Sequence, residues 1–177
     1  YAREDINDYM GNVAIENGSM IATTGIDSDG HLVDVPDLPN GVYFLKELAT
    51  NGQYKLNEKE YDFEVAYHGG DVSHYVIQIG ENGKVENELA RGSIQVRKID
   101  TLDAEKKMNG VMFKLSIKED MSEVVTTAMT GDDSIAYFND LELGIYYIQA
   151  AVQIDAYALN DHIYKVEVTT DGDLLEI

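Results

Sequence analysis

Cysteine is absent from this 177-residue sequence, and basic residues are scarce. Without cysteine the chain can form no disulfide, no thiolate metal site and no thiol nucleophile. Only 13 lysines and arginines stand against 33 aspartates and glutamates, which gives a net charge of −20. Such a surface repels nucleic-acid phosphates and anionic lipid headgroups, so we expect neither nucleic acid nor membrane as a partner.

Long apolar runs are also missing. No segment approaches the roughly eighteen apolar residues of a membrane-spanning helix, and no secretion signal opens the sequence. The first residue is Tyr1 rather than methionine, so we expect the sequence to be a piece of a longer protein. Its hydrophobic content of 44% is ordinary for a globular protein and predicts a folded core rather than disorder.

The sequence repeats itself, because residues 22–65 align with residues 125–168 without a gap. The matched pairs include Thr23/Thr126, Asp37/Asp140, Gly41/Gly144, Tyr43/Tyr146, Asn57/Asn160, Tyr61/Tyr164 and Val65/Val168. We therefore predict two copies of one unit, at residues 1–90 and 91–177. The first copy has no counterpart of GSIQVRKID, which opens the second copy at Gly92, and the second ends soon after Val168. We expect the first copy to lack its first strand and the second to lack some or all of its last.

The secondary-structure pattern is that of an all-β protein. Short segments rich in Val, Ile, Tyr and Thr, such as SIQVRKI, VMFKLSI and IYYIQAA, alternate with turns such as DSDG, ATNG and ENG. No window sustains a helical stripe. Short strands in units of about a hundred residues predict two tandem immunoglobulin-like β-sandwiches.

Two predicted apolar stripes end in a charged residue. They are Tyr43–Leu45–Glu47 in the first copy and Ile94–Val96–Lys98 in the second. Each charge could lie at a strand end and reach water. Alternatively, a desolvated lysine is a nucleophile and a buried glutamate can carry a proton. Beside an asparagine carboxamide, these groups could form a Lys–Asn isopeptide bond and release ammonia, and Asn87 in KVENEL is the available asparagine.

A family resemblance supports the chemical alternative. The order DLPNGVYFLKEL, NGQYKLNEKEYDFEV, ENEL, GSIQVRKID and NGVMFKL closely resembles the CnaB-type domain, also called SpaA-type or prealbumin-like. Such domains occur in tandem in pilins and adhesins of Gram-positive bacteria. The resemblance covers essentially the whole chain and implies reverse-immunoglobulin sandwiches that are often cross-linked by a Lys–Asn isopeptide bond. It assigns Glu47 as the catalytic acid, Lys98 as the lysine and Asn87 as the acceptor.

Neither copy holds all three residues of this chemistry. Glu47 and Asn87 belong to the first copy, whereas Lys98 belongs to the second, which has Ala150 in place of the acid. We therefore predict that residues 1–177 contain no intramolecular isopeptide bond. We also predict that the second copy is not cross-linked in a longer protein.

The resemblance implies a structural stalk or adhesin module, without cofactor or metal and without enzymatic activity. It would lie outside a Gram-positive cell, in a parent protein anchored to the cell wall, with neighbouring repeats as its partners. One alternative is a module that binds a host surface protein or glycan through residues 6–21 or 65–74. Another is the accessory domain of an enzyme.

Two weaker motifs suggest metal-binding sites. DSDG at Asp27–Gly30 resembles the start of a calcium loop, but the later ligands are missing, so a hairpin turn is favoured. His68 and His74 flank Asp71 and could hold an adventitious metal, although a solvated loop is the simpler interpretation.

Overall fold

The computed structural model describes residues 1–67, 69, 76–152, 154 and 157–177. They form thirteen β-strands and no helix, which confirms the all-β prediction for the described residues. The chain divides into two compact units. The first consists of Tyr1–Thr50 and Leu56–Asn87, and the second of Asn51–Lys55 and Glu88–Ile177. The division after Asn87 lies three residues before the boundary that the repeat predicts.

The strands are short, as expected for segments separated by frequent Gly, Asn and Asp. In the first unit they are β1 (Ile6–Asn7), β2 (Val13–Ile15), β3 (Gly25–Ile26), β4 (Leu32–Val33), β5 (Gly41–Leu45) and β6 (Tyr61–Val65). In the second unit they are β7 (Arg91–Arg97), β8 (Met112–Ser116), β9 (Val124–Met129), β10 (Ile135–Glu142), β11 (Gly144–Val152), β12 (Tyr164–Val168) and β13 (Leu174–Glu176).

The second unit is a sandwich of two sheets, with strand orders β10-β7-β13 and β12-β11-β8-β9. Inward-facing residues alternate along its strands, so that Ile94 and Val96 of β7 are buried while Arg97 is exposed. The core consists of Ile94, Val96, Val111, Phe113, Leu115, Ala136, Phe138, Leu141, Tyr146, Ile148, Ala150 and Val168. The sequence predicted that this unit lacks its last strand. The unit ends in the short strand β13, which pairs in parallel with β7, and the prediction that some or all of the last strand is missing stays a prediction.

The repeat is preserved in the pairing of the strands. In the first unit β5 pairs with β6 so that Gly41 lies opposite Val65, and in the second β11 pairs with β12 so that Gly144 lies opposite Val168. The buried tyrosine hydroxyl of each copy donates a hydrogen bond to a carbonyl four residues earlier, from Tyr43 to Pro39 and from Tyr146 to Glu142. The two copies therefore share one local architecture around these strands.

The first unit has a much smaller core. Its described strands form only the hairpins β1–β2, β3–β4 and β5–β6. The amino-terminal residues extend the last hairpin, because the ammonium of Tyr1 donates to the carbonyl of Phe44 at 3.0 Å and the amide of Arg3 donates to Val42 at 2.8 Å. The buried cluster contains only Ala2, Ile6, Tyr43 and Val65. Among the described residues of this unit, no strand corresponds to β7.

Asp173, in the turn that follows β12, makes the stability of the second unit depend on pH. Hydrogen bonds from the hydroxyl and amide of Thr170, and from the amide of Thr169, lower the pKa of Asp173 to about 2. The ionised carboxylate is therefore favoured in the folded state, and its stabilising effect is lost as the pH falls from about 4 to about 2. We expect Asp173→Asn to be less stable than the wild type at neutral pH and to show a flatter dependence in this window. Urea unfolding at several pH values measures this, and parallel curves for the two proteins would contradict it.

Candidate functional site

The centre of the candidate site is a carboxylate that holds a carboxamide. The side-chain nitrogen of Asn87 lies 2.8 Å from each carboxylate oxygen of Glu47 and donates to them. The backbone amide of Asn57 donates to the same carboxylate at 2.7 Å. Glu47 and Asn87 are both half-buried. The structure thus brings together two residues, 40 positions apart, that the sequence predicts as acid and acceptor.

Glu47 lies two residues beyond the end of β5. Tyr43 is buried, and Glu47 follows it by four residues on the same predicted face. The corresponding stripe of the second unit, Tyr146, Ile148 and Ala150, is buried along its whole length. Position 47 is therefore the end of a core-facing stripe, and the hydrogen bonds from Asn57 and Asn87 satisfy a carboxylate that burial would otherwise destabilise.

Asn57 was not identified from the sequence as part of the site. Its side-chain nitrogen donates to the hydroxyl of Tyr61 at 2.9 Å and to the carbonyl of Glu86 at 3.0 Å. Asn57 therefore links β6, the acid Glu47 and the residue that precedes Asn87. The signal was available, since Asn57 and Tyr61 both recur in the second copy as Asn160 and Tyr164. We call Glu47, Asn57 and Asn87 the half-site.

Lys98, the third predicted residue, belongs to the second unit. It follows β7 directly and is half-buried, and its backbone amide donates to the carbonyl of Ser134 at 2.9 Å. It lines a cavity of about 200 Å³ together with Arg97, Lys106 and Lys107. Among the described residues, the Lys98 ammonium forms no ion pair, and Glu47 forms none with any lysine.

Comparison with known proteins assigns the fold. The SpaA prealbumin-like fold domain matches twice, at residues 5–86 and 92–177. The chain belongs to this family. Its resemblance to SpaA-type domains and its tandem organisation, both predicted from sequence, are thereby confirmed. A search of curated proteins gives no match.

Two solved structures are similar to this chain at low sequence identity. The TIE protein of Bacillus anthracis is 21% identical, with a TM-score of 0.71, and the match covers 87% of this chain and 27% of that one. The basal pilin SpaB of Lactobacillus rhamnosus GG is 14% identical, with a TM-score of 0.38, over 49% of this chain and 95% of that one. The chain therefore spans about a quarter of the length of the TIE protein, and the likeness concerns the fold alone.

The second SpaA-type unit contains counterparts of Asn57 and Tyr61 but not of the acid Glu47. Asn160 donates to the hydroxyl of Tyr164 at 3.4 Å, as Asn57 does to Tyr61 at a shorter distance. Ala150 replaces Glu47, so this unit offers no carboxylate to hold a carboxamide. The prediction that the second unit forms no isopeptide bond rests on this residue and stays a prediction.

The half-site of the first SpaA-type unit can support amide exchange. A carboxylate beside a carboxamide can accept the proton of an attacking amine and return it to the leaving nitrogen. The chemistry requires an amine within reach of the Asn87 carboxamide carbon. A lysine that supplied it would complete the site.

A second cluster contains Asp27, Asp29 and His31, whose ligand atoms lie within 4.8 Å of one another. All three residues are exposed. The amides of Asp29 and His31 donate to the Asp27 carboxylate at 2.9 and 2.8 Å, which closes the turn between β3 and β4. The geometry favours the hairpin turn over a calcium loop. The proposed His68–Asp71–His74 cluster lies outside the described residues.

The two copies provide a matched test of Asn57. We expect Asn57→Ala to lower the free energy of unfolding by about 1 kcal/mol, because the part-buried hydrogen bond to Tyr61 and the exposed ones to Glu86 and from Lys59 are lost. Asn160→Ala should cost less, since its bond to Tyr164 is long. Urea unfolding of both variants measures the difference, and equal losses would contradict a special role for Asn57.

The described residues contain no helix that is long and apolar enough to span a membrane.

Proposed function

We propose that this chain is a structural stalk module of a bacterial cell-surface protein, and that its chemistry is confined to self-cross-linking. The tandem match to the SpaA prealbumin-like fold domain carries this proposal. The strongly acidic surface and the two sandwiches in sequence suit a module that spaces and presents other regions. Anchoring to the cell wall would be supplied by another part of the parent protein.

The half-site supports the cross-linking part of the proposal. The neutral amine of a lysine attacks the carboxamide carbon of Asn87 and forms a new C–N bond. The bond to the original amide nitrogen then breaks, and ammonia leaves. Glu47 takes the proton from the attacking amine and delivers it to the departing nitrogen. No oxidant is needed, so such a bond suits a protein without cysteine.

An isopeptide bond would stabilise the unit by closing a long loop. For a loop of about a hundred residues, the chain-entropy model gives about 5 kcal/mol. Unlike a disulfide, the isopeptide bond is not broken by reduction. Such a bond would therefore keep its stabilising effect in an exposed stalk whatever the redox conditions.

Labelling of intact cells tests the proposed location. Antibodies raised against residues 1–177 should label the source bacterium without permeabilisation, and mild protease treatment of whole cells should remove the signal. Labelling that appears only after lysis would contradict the proposal.

The mass of the purified chain tests the predicted absence of an intramolecular bond. We expect the mass of residues 1–177 to equal that of the unmodified sequence, because the half-site and Lys98 belong to different units. Intact-mass spectrometry measures this directly. A mass lower by one ammonia would show that an amine of this chain already occupies the half-site.

Ligand binding is a second candidate, favoured by the β1–β2 hairpin. This hairpin has no counterpart in the second copy, and Tyr9 at its tip is 98% exposed, with Met10 also exposed. An exposed aromatic side chain can stack on a sugar or a partner protein. Binding to a glycan array that is abolished by Tyr9→Ala would support this function, and an array without signal would count against it. The other predicted loop, 65–74, lies mostly outside the described residues.

A further inference from the structure

The dipeptide Asn-Gly occurs five times in the chain, at Asn17, Asn40, Asn51, Asn82 and Asn109. An asparagine followed by glycine is prone to spontaneous deamidation, because glycine has no side chain to hinder the approach of its amide nitrogen. We propose that Asn82 is a self-modifying site, which water converts to aspartate and isoaspartate in the folded chain, and that the structure protects the other four asparagines.

The reaction at Asn82 needs only groups of the chain and water. The amide nitrogen of Gly83 attacks the carboxamide carbon of Asn82 and closes a succinimide ring. The original side-chain nitrogen takes up the proton that the Gly83 amide loses, and it leaves as ammonia. Water then adds to one of the two ring carbonyls and opens the ring. Opening at one carbonyl gives aspartate, and opening at the other gives isoaspartate, in which the backbone runs through the former side chain.

The two groups that must meet are both free at this site. Neither the carboxamide of Asn82 nor the amide of Gly83 has a hydrogen-bond partner among the described residues. Both residues are exposed, so water reaches the ring as soon as it forms. No existing side-chain or amide hydrogen bond therefore has to break before the Gly83 nitrogen can attack.

Asn82 and Gly83 form the tip of a short turn that opens easily. Their φ values are 56° and 74°, as in the type I′ turns that favour Asn-Gly. Among the described residues, one backbone hydrogen bond closes this turn, from the Lys84 amide to the Glu81 carbonyl at 3.1 Å, and the bridge between these residues lies outside any strand. The attack requires the Asn82 backbone to rotate out of this conformation. An isolated exposed turn does so at low free-energy cost.

Hydrogen bonds block the same reaction at Asn40 and Asn109. The Asn40 carboxamide is held at both ends, because its nitrogen donates to the Tyr67 carbonyl at 3.0 Å and its oxygen accepts from the Tyr67 amide at 2.7 Å. The Asn109 side-chain nitrogen donates to Asp132 at 2.7 Å, and the glycine amide that follows donates to the Thr130 carbonyl at 2.9 Å. These bonds have to break before either ring can close.

The structure restrains one reacting group at each of the remaining sites, Asn17 and Asn51. The Gly18 amide donates to the carbonyl of Ala2 at 2.9 Å. The side-chain oxygen of Asn51 accepts from the Gln53 amide at 3.0 Å. We therefore expect Asn17 and Asn51 to react more slowly than Asn82.

The test is incubation of the folded chain 1–177 at mildly alkaline pH, followed by tryptic mapping. Asn82 is the only asparagine in the tryptic peptide 60–84, and Asn109 is the only one in the peptide 108–114. We expect Asn82 to deamidate at least about tenfold faster than Asn109, the ratio for an opening cost of about 1.4 kcal/mol. An isoaspartate methyltransferase should label the incubated peptide 60–84 but not the same peptide from Asn82→Asp incubated in parallel.

Incubation in guanidinium chloride is the matched control. Unfolding removes the bonds that protect Asn109, so the two rates should become similar there. Equal rates at Asn82 and Asn109 in the folded chain would overturn the inference. A preference for Asn82 that persists in guanidinium chloride would also overturn it, because the preference would then come from neighbouring residues rather than from the fold. Asn87 lies in a different peptide, 85–91, so the proposed cross-linking is tested separately.

Discussion

Phe138→Ala is expected to lower the free energy of unfolding by about 3–5 kcal/mol, the usual loss for a buried phenylalanine. Phe138 is 2% exposed, lies opposite Ile94 of β7 and belongs to the core of the second unit. Its repeat counterpart Val35 is more than half exposed. Val35→Ala should therefore change stability by less than about 0.5 kcal/mol, as surface substitutions usually do.

This pair of variants tests whether the side chain at the same repeat position is buried in the second copy and exposed in the first. Urea unfolding followed by far-ultraviolet circular dichroism gives both free energies. A loss for Val35→Ala that approaches the loss for Phe138→Ala would mean that the first unit is closed in solution.

Gly92→Ala is expected to destabilise the second unit by about 1–3 kcal/mol, the usual cost of overpacking a core. A methyl group at position 92 would lie 2.4 Å from Cγ1 of Val168 and 3.2 Å from the backbone oxygen of Asp173. Val168 is buried at 1% exposure and β-branched, so its side chain cannot swing aside. The Asp173 oxygen is fixed by the hydrogen bond that it accepts from Ser93.

A double-mutant cycle identifies the cause of this loss. Val168→Ala removes the clashing methyl group, so the double variant should be more stable than the sum of the single losses predicts. Gly131→Ala serves as the matched control, because its added methyl would meet only the Asp133 carboxylate at 3.4 Å. Additive losses at positions 92 and 168, or an equally large effect at position 131, would contradict the steric explanation.

The repeat made most of the fold predictable from sequence. Matched tyrosines and glycines 103 residues apart indicated two copies, and the structure pairs Gly41 with Val65 as it pairs Gly144 with Val168. Alternation along β7 placed Ile94 and Val96 inside. The strand β13 escaped prediction because three residues are too few to show a period of two. Parallel pairing with β7 holds β13 in its sheet, and the order of the segments in the sequence does not reveal this pairing.

The candidate site was only partly predictable. Glu47 was found because a carboxylate ended an apolar stripe, and Asn87 because a family pattern ends its last strand there. Asn57 was missed because an asparagine in a polar loop resembles an ordinary turn residue. Only its hydrogen bonds to Tyr61 and Glu86, together with its recurrence as Asn160, distinguish it. The exposure of Leu32 and Val35 could not be predicted, since both belong to segments that pattern alone would bury.

Amide hydrogen exchange of residues 32–38 and 135–141 in the intact chain tests the central claim most directly. We predict slow exchange across 135–141, where β7 pairs with β10, and fast exchange across 32–38, where the described residues provide no such partner. Comparable protection of the two segments would show that residues 32–38 are paired as residues 135–141 are, and it would contradict the difference between the two copies.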